Sequence, residues 1–309
     1  MMSAEAESES GMMMCASCRC IATDDDIKLK KCTPCEIDRY CIEKCLKEHR
    51  PQHEEACKQR AAEIHDEILF KQPESTHLGD CPICCLPLKL DGVTSQITYC
   101  CSKMICSGCN FANQKREYEK RLENTCLFCR LRLPKSKKEA ERNKRKRIEA
   151  NDPVALREVG TRLLKNRDYT DAFQYLSKAV EFGDVASHYY LSLMYCNGQG
   201  VKKDKKEEVY HLEQAAIGGH TNGRCNLGAY EWNIGRWERA VKHYVIAAKL
   251  GHDVSLRRVR ENYTAGLVSK EDFAAALRAH QAFVDAMKSP QREEAESYFR
   301  NAKKRSSVS

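Results

Sequence analysis

The sequence predicts a multidomain chain: two small metal-stabilised α+β modules followed by an all-α helical-repeat solenoid. Three observations predict it. Seventeen of the 19 cysteines lie between Cys15 and Cys129, and only Cys196 and Cys225 lie beyond. Residues 135–149 hold eight basic and three acidic side chains, so 8 − 3 = +5 of the formal +8 sits in one short connector. After Asn151 the chain becomes cysteine-poor, and short strings recur in register. At roughly 100–200 residues per domain, 309 residues make about two domains. No run of 18 apolar residues is present, so no membrane span is expected. The first 11 residues are acidic and Ser-rich and do not read as a secretory signal. The expected setting is therefore intracellular, cytoplasmic or nuclear, where thiols stay reduced and clustered cysteines serve as metal ligands rather than disulfides.

The first cluster runs Cys15-x-x-Cys18, Cys32-x-x-Cys35, Cys41-x-x-x-Cys45 and His53-x-x-x-Cys57. A C-x-x-C pair puts two sulfurs on one tight turn, at two vertices of a zinc tetrahedron. Ligands at i and i+4 share one face of a short helix. Eight ligands make two closed tetrahedra, the structural arrangement. A segment of this size buries too little surface to fold alone, whereas structural zinc contributes about 10–16 kcal/mol apparent. Cys20 is a spare, and His49 is a weaker alternative to His53. The order of spacings, with Tyr40 before Cys41, resembles the MYND zinc finger. The resemblance implies interleaved sites, Cys15, Cys18, Cys41 and Cys45 on one zinc and Cys32, Cys35, His53 and Cys57 on the other. It also implies binding of short proline-containing peptides. Ile42, Leu46 and Arg50 stand where that family commonly has Ser, Gln and Trp.

The second cluster comprises Cys81-Pro82-Ile83-Cys84, Cys100-Cys101, Cys106-x-x-Cys109 and Cys126-x-x-Cys129-Arg130. This is again eight ligands, with Cys85 as a rival to one of the adjacent pair. Residues 110–123 have helical composition. The spacing resembles a RING finger in an all-cysteine version. Cross-bracing as in that family implies Cys81, Cys84, Cys106 and Cys109 on one zinc, with Cys100, Cys101, Cys126 and Cys129 on the other. The resemblance also implies a ubiquitin-conjugating enzyme as partner, with Ile83, Leu127 and Arg130 as contact candidates. Leu127 stands where Pro is usual, and Asn113 where the helix often carries Trp. Such a module does no covalent chemistry and acts by positioning.

The basic run at 135–147 reads as a solvated helix bridging two domains, with Glu141 four residues before Arg145. A nuclear-import signal is the second reading. Nucleic acid is an unlikely partner, since no Phe, Tyr or Trp between residues 131 and 168 supplies a base-stacking surface.

In the C-terminal half, KAVEFGD, QAAIGGH and IAAKLGH align Ala179, Ala215 and Ala247, with Gly183, Gly219 and Gly251 four residues on. A second register runs Val159-Gly160, Leu191-Ser192, Leu227-Gly228 and Val259-Arg260. Small residues in register let paired helices approach closely, and each glycine ends a helix. The stretch Tyr195-x-x-Gly198-x-Gly200-Val201-x-x-Asp204 followed by Ala215-Ala216 resembles the Sel-one-like repeat, a relative of the tetratricopeptide repeat. That resemblance implies an α/α solenoid that binds other proteins. A degenerate fourth unit starts at His252, and residues 271–288 read as a closing helix. Gly198 and Gly200 are not a nucleotide loop, because no Lys-Ser/Thr and no βαβ context follow. No catalytic constellation is apparent.

The expected organisation is a disordered N-terminus (1–14), a MYND-type finger (15–57), a linker (58–80), a RING-like finger (81–130), a basic linker (131–150), helical repeats (151–288) and a tail (289–309). Four zinc ions are expected, held by 15 cysteines and one histidine. As thiolates these contribute −15 + 8 = −7, which brings the formal +8 to about +1. The expected function is a protein–protein interaction adaptor, with a RING-type ubiquitin ligase as the alternative.

Overall fold

A computed structural model of the chain describes residues 30–32, 34, 39–40, 43–91 and 94–306. It divides into two compact units, Met1–Leu69 and Phe70–Ser309. In the first, β1 (Lys30–Lys31) pairs antiparallel with β2 (Arg39–Tyr40), with Lys30 opposite Tyr40. A 27-residue helix, α1 (Glu43–Leu69), follows. Its exposed face carries the ion pairs Lys58–Glu54, Arg60–Glu63 and Arg60–Glu67. These pairs set opposite charges one or two turns apart along one face and suit a helix that stays largely in water. Residues 58–69, the first part of the expected linker, are thus helical.

The second unit begins with the other part of that linker, which is tied down. The Phe70 ring lies 4.7 Å from that of His243 and beneath the Arg239 guanidinium at 4.8 Å. The His77 N–H donates to the Gly219 carbonyl at 3.1 Å, and its ring meets His220 at 4.0 Å. A hairpin within the cysteine-rich segment then pairs β3 (Ser95–Ile97) with β4 (Met104–Cys106), with Gln96 opposite Ile105. It leads directly into α2 (Ser107–Glu119). The connector forms α3 (Lys137–Glu149), which buries no residue and is capped by the Ser136 hydroxyl accepting from the Glu139 N–H. Its Lys144 lies over the Tyr99 ring, and Arg147 pairs with Asp152.

The repeats comprise α4 (Pro153–Asn166), α5 (Tyr169–Glu181), α6 (Val185–Asn197), α7 (Lys205–Ile217), α8 (Thr221–Asn233), α9 (Trp237–Lys249), α10 (Asp253–Thr264) and α11 (Lys270–Ala286). Both small-residue registers are packing positions. Ala179, Ala215 and Ala247 are fully buried, as are Leu227 and Val259. A Cβ at Gly160 would lie 2.7 Å from the Leu176 side chain, and one at Gly228 2.8 Å from the Tyr244 ring. The glycines that end α5, α7 and α9 all take left-handed φ, between 79° and 84°. The next residue in each string starts the following helix. Asp184 accepts from the Ser187 N–H at 2.8 Å, and His220 Nδ1 accepts from the Gly223 N–H at 3.1 Å. Residues 289–309, read from sequence as a tail, hold a further helix, α12 (Pro290–Ser306), which packs on α2.

Two predictions follow from this packing. Gly228→Ala should destabilise the repeats by about 1–3 kcal/mol through overpacking against Tyr244, read as a lower urea midpoint. The second concerns buried His243, whose ring nitrogens have no hydrogen-bond partner and which feels the charges of Arg224 and Arg239. Burial, with those two guanidinium groups, pushes its pKa down from 6.5 to about 3. The unfolded chain therefore binds the extra proton, so the stability from a neutral His243 is present above about pH 6.5 and is lost as pH falls toward 3. His243→Phe should remove this cost, and the difference in Tm between variant and wild type should widen in the variant's favour from pH 7 to pH 4.5.

Candidate metal centres

Three short turns build the centres of the second unit. At Cys81-x-x-Cys84 the Cys81 N–H donates to the Leu86 carbonyl at 2.9 Å, and the Cys85 N–H donates to that of Cys81 at 2.8 Å. At Cys126-x-x-Cys129 the same two bonds recur, from Cys126 to Leu131 at 2.7 Å and from Arg130 to Cys126 at 2.9 Å. The residue after each pair is left-handed, Cys85 at φ 55° and Arg130 at φ 62°. The third turn ends in the same way at Ser102, φ 55°, whose N–H donates to the Thr98 carbonyl at 2.7 Å. Each left-handed residue reverses the chain so that both sulfurs of its turn face inward. The fourth pair comes from a helix start. Cys106 is the N-cap of α2, its sulfur accepting from the Cys109 N–H at 3.5 Å.

The sulfurs meet in two groups, Cys81, Cys84, Cys106 and Cys109, and Cys100, Cys101, Cys126 and Cys129. Within each group all ligand atoms lie within 4.8 Å of one another. Zinc–sulfur bonds of about 2.3 Å at tetrahedral angles give sulfur–sulfur edges of about 3.8 Å. Cys84 to Cys106 and Cys101 to Cys126 are both 3.8 Å, and Cys129 to Cys100 is 3.4 Å. The donor sets and spacings fit zinc. The Cys106 thiol and the N–H groups of Cys106, Cys84 and Ile83 lower the pKa of Cys81, while the Cys81 sulfur and burial raise that of Cys106 and burial raises that of Cys109. Adjacent Cys100 and Cys101 share one group, while Cys85 is exposed and outside both.

In the first unit Cys32, His53 and Cys57 converge, with His53 Nε2 3.4 Å and the Cys57 sulfur 3.6 Å from the Cys32 sulfur. His53 and Cys57 sit one turn apart on α1, and His49 stacks on His53 at 5.9 Å between ring centres. Cys15, Cys18, Cys35 and Cys41 lie outside the described residues, as does the side chain of Cys45.

The enzyme-contact candidates divide. Ile83 is 40 % exposed and Arg130 is also exposed. Leu127 packs against the module's own core, and its neighbour Phe128 is the exposed apolar residue at 44 %, with Lys103 over its ring. Asn113 is buried and accepts from Arg116 at 2.9 Å. One residue near the first centre escaped the sequence reading. Arg292 on α12 reaches the Cys84 sulfur at 3.5 Å. Its signal was the helical spacing of Arg292, Ala295 and Phe299 behind Pro290.

The Sel1 repeat family matches residues 158–184, 185–220 and 238–252. These stretches hold most of α4, all of α5 to α7, and nearly all of α9. No curated protein matches the chain. Among solved structures, a Sel1 repeat protein from Oxalobacter formigenes is 26 % identical over 39 % of this chain and 97 % of its own, with a TM-score of 0.36. The protective antigen c5321 of uropathogenic Escherichia coli, which displays an SLR fold, is 20 % identical over 58 % of this chain and 38 % of its own, with a TM-score of 0.40. The C-terminal half of the chain thus carries Sel1 repeats.

Proposed function

We propose that the chain is a zinc-binding protein–protein interaction adaptor, in which a MYND-type finger, a RING-like finger and Sel-one-like repeats each engage a protein or peptide. The observation that carries this is a cleft of about 920 Å³ within the second unit, lined from both of its halves. Lys89, Gln96 and Tyr99 of the metal module face Arg157, Lys165 and Tyr189 of the repeats across it. An extended partner segment seated there touches both modules at once, so weak contacts add through a high effective concentration. Zinc supplies no chemistry here beyond closing the modules. Its ligands are the 15 cysteines and His53, four to a metal. The basic stretch 135–147, most of it on the exposed helix α3, is presented to an import receptor.

The ubiquitin-ligase alternative is favoured by one specific observation, the exposure of Ile83, Phe128 and Arg130 on the metal module. In that role the module receives the charged conjugating enzyme, Arg130 orients the carried ubiquitin, and the cleft receives substrate.

Two measurements test these functions. Elemental analysis of purified protein should give four zinc ions per chain, and two would eliminate one of the cysteine clusters as a metal module. Purified chain with activating enzyme, a panel of conjugating enzymes and ubiquitin separates adaptor from ligase. Chains made by wild type and lost in Arg130→Ala, with the zinc count retained, identify a ligase, whereas no chains from any conjugating enzyme leave the adaptor.

A further inference from the structure

Arg292 is 3 % exposed, and three of its four guanidinium hydrogen bonds go to the Cys84–Pro87 turn, while its Nε is buried without a partner. Nη1 donates to the carbonyls of Pro87 at 2.7 Å and Met287 at 2.9 Å, and Nη2 donates to the Leu86 carbonyl at 3.1 Å and the Cys84 sulfur at 3.5 Å. Among the described residues no carboxylate pairs with it. A buried cation with only neutral acceptors is costly, so a negative charge is needed nearby. Four thiolates around one zinc supply it, since −4 + 2 = −2. The helix that carries Arg292 is fitted to this position. A Cβ on Gly108 of α2 would lie 2.8 Å from the Arg292 backbone nitrogen, so only glycine lets the two helices approach this closely. Ala295 is fully buried, and Phe111 packs on Tyr298 with ring centres 4.9 Å apart. At the rim, Lys115 pairs with Glu294 and Lys89 with Glu296.

We infer that Arg292 is a positioning residue of the centre formed by Cys81, Cys84, Cys106 and Cys109, and that metal occupancy there and the docking of α12 stabilise each other. The inference rests on zinc being bound at that centre. Arg292 donates to the Cys84 thiolate, fixes its orientation and offsets half of the net −2. In return, the metal-held thiolates are the counter-charge that makes burial of the guanidinium favourable. Linkage makes the effect reciprocal, so whatever factor α12 contributes to metal affinity, the metal contributes to α12 docking. The second centre, Cys100, Cys101, Cys126 and Cys129, has no such contact with Arg292 and serves as an internal reference.

The experiment uses the full chain loaded with zinc. Zinc loss to a chromophoric chelator is timed, and cysteine alkylation read by peptide mass assigns each loss to its centre. Arg292→Lys keeps the charge but loses the planar fork, and Arg292→Met loses both. Both should speed loss from the first centre, Arg292→Met by about tenfold or more, with the second centre unchanged. Arg300→Gln, at an exposed position of α12 outside these contacts, should leave both rates unchanged. In wild type, stripping zinc should raise amide exchange across residues 290–306. Unchanged rates in both Arg292 variants, equal acceleration at both centres, or protection of α12 that is indifferent to zinc would each overturn the inference while leaving the zinc sites standing. A wild-type chain with no metal at the first centre overturns the zinc assignment and the inference together, and the zinc count made beforehand distinguishes that case.

Discussion

The metal module of the second unit depends on one constraint, the convergence of cysteine sulfurs in a segment with almost no other interior. Its buried core consists of Cys81, Leu88, Ile105, Cys106 and Cys109, so three of its five members are candidate ligands. Two aliphatic side chains supply only a few kcal/mol of hydrophobic stabilisation, far short of the conformational entropy of about fifty residues. Everything else in the module is arranged to deliver sulfur. The left-handed residues Cys85, Ser102 and Arg130 close the turns, and the β3–β4 hairpin delivers Cys106 to the start of α2. Arg130 is therefore a backbone position before it is a surface charge. Its φ serves the turn while its side chain stays exposed.

The repeat half meets the same entropy cost by another route. Each pair of helices is brought close by small residues, and its buried alanines and leucines form continuous cores, such as that of Ala172, Leu176, Leu191 and Met194. Asp184 and His220 each end one unit and cap the next, so the repeat boundary is itself a hydrogen bond. In this position histidine must remain neutral to accept, and burial together with His77 and Arg157 holds the pKa of His220 down to about 2. The metal module is gripped by chain on both sides of it in sequence. The strip from Phe70 to His77 lies along α7–α9, and α12 returns from beyond the last repeat to cover α2. With one face of α2 taken by α12, the side chains of Ile83, Phe128 and Arg130 remain exposed on the module.

Local chemistry was legible in the sequence. Spacing in cysteine pairs, small residues in two registers, glycines at helix ends and the charge of the connector are short-range signals, and each corresponds to a feature within a few residues of itself. The sulfurs of the second unit converge in two groups of four, each joining one pair to the next pair but one along the chain. The repeat register was similarly readable, because each unit contacts its sequence neighbours. The choice of Cys100 and Cys101 over Cys85 could not be read from spacing. It depends on which way Cys85 turns at φ 55°, a property of the folded knuckle.

Long-range partners were decided only by tertiary structure. Nothing local in Pro290–Ser306 says that it packs on a helix some 180 residues earlier, because a helical stripe of Arg292, Ala295 and Phe299 fits any complementary groove. The groove exists only once Gly108, Phe111 and the Cys84–Lys89 turn are assembled. The same holds for Phe70, whose place against His243 and Arg239 needs α9 already packed in the repeats. By itself the sequence determined the cysteine turns and the repeat unit, since these are set by neighbours along the chain. Only the tertiary structure decided how the metal module is held to the repeats, because complementarity between distant surfaces is a property of two assembled shapes and is carried by neither segment alone.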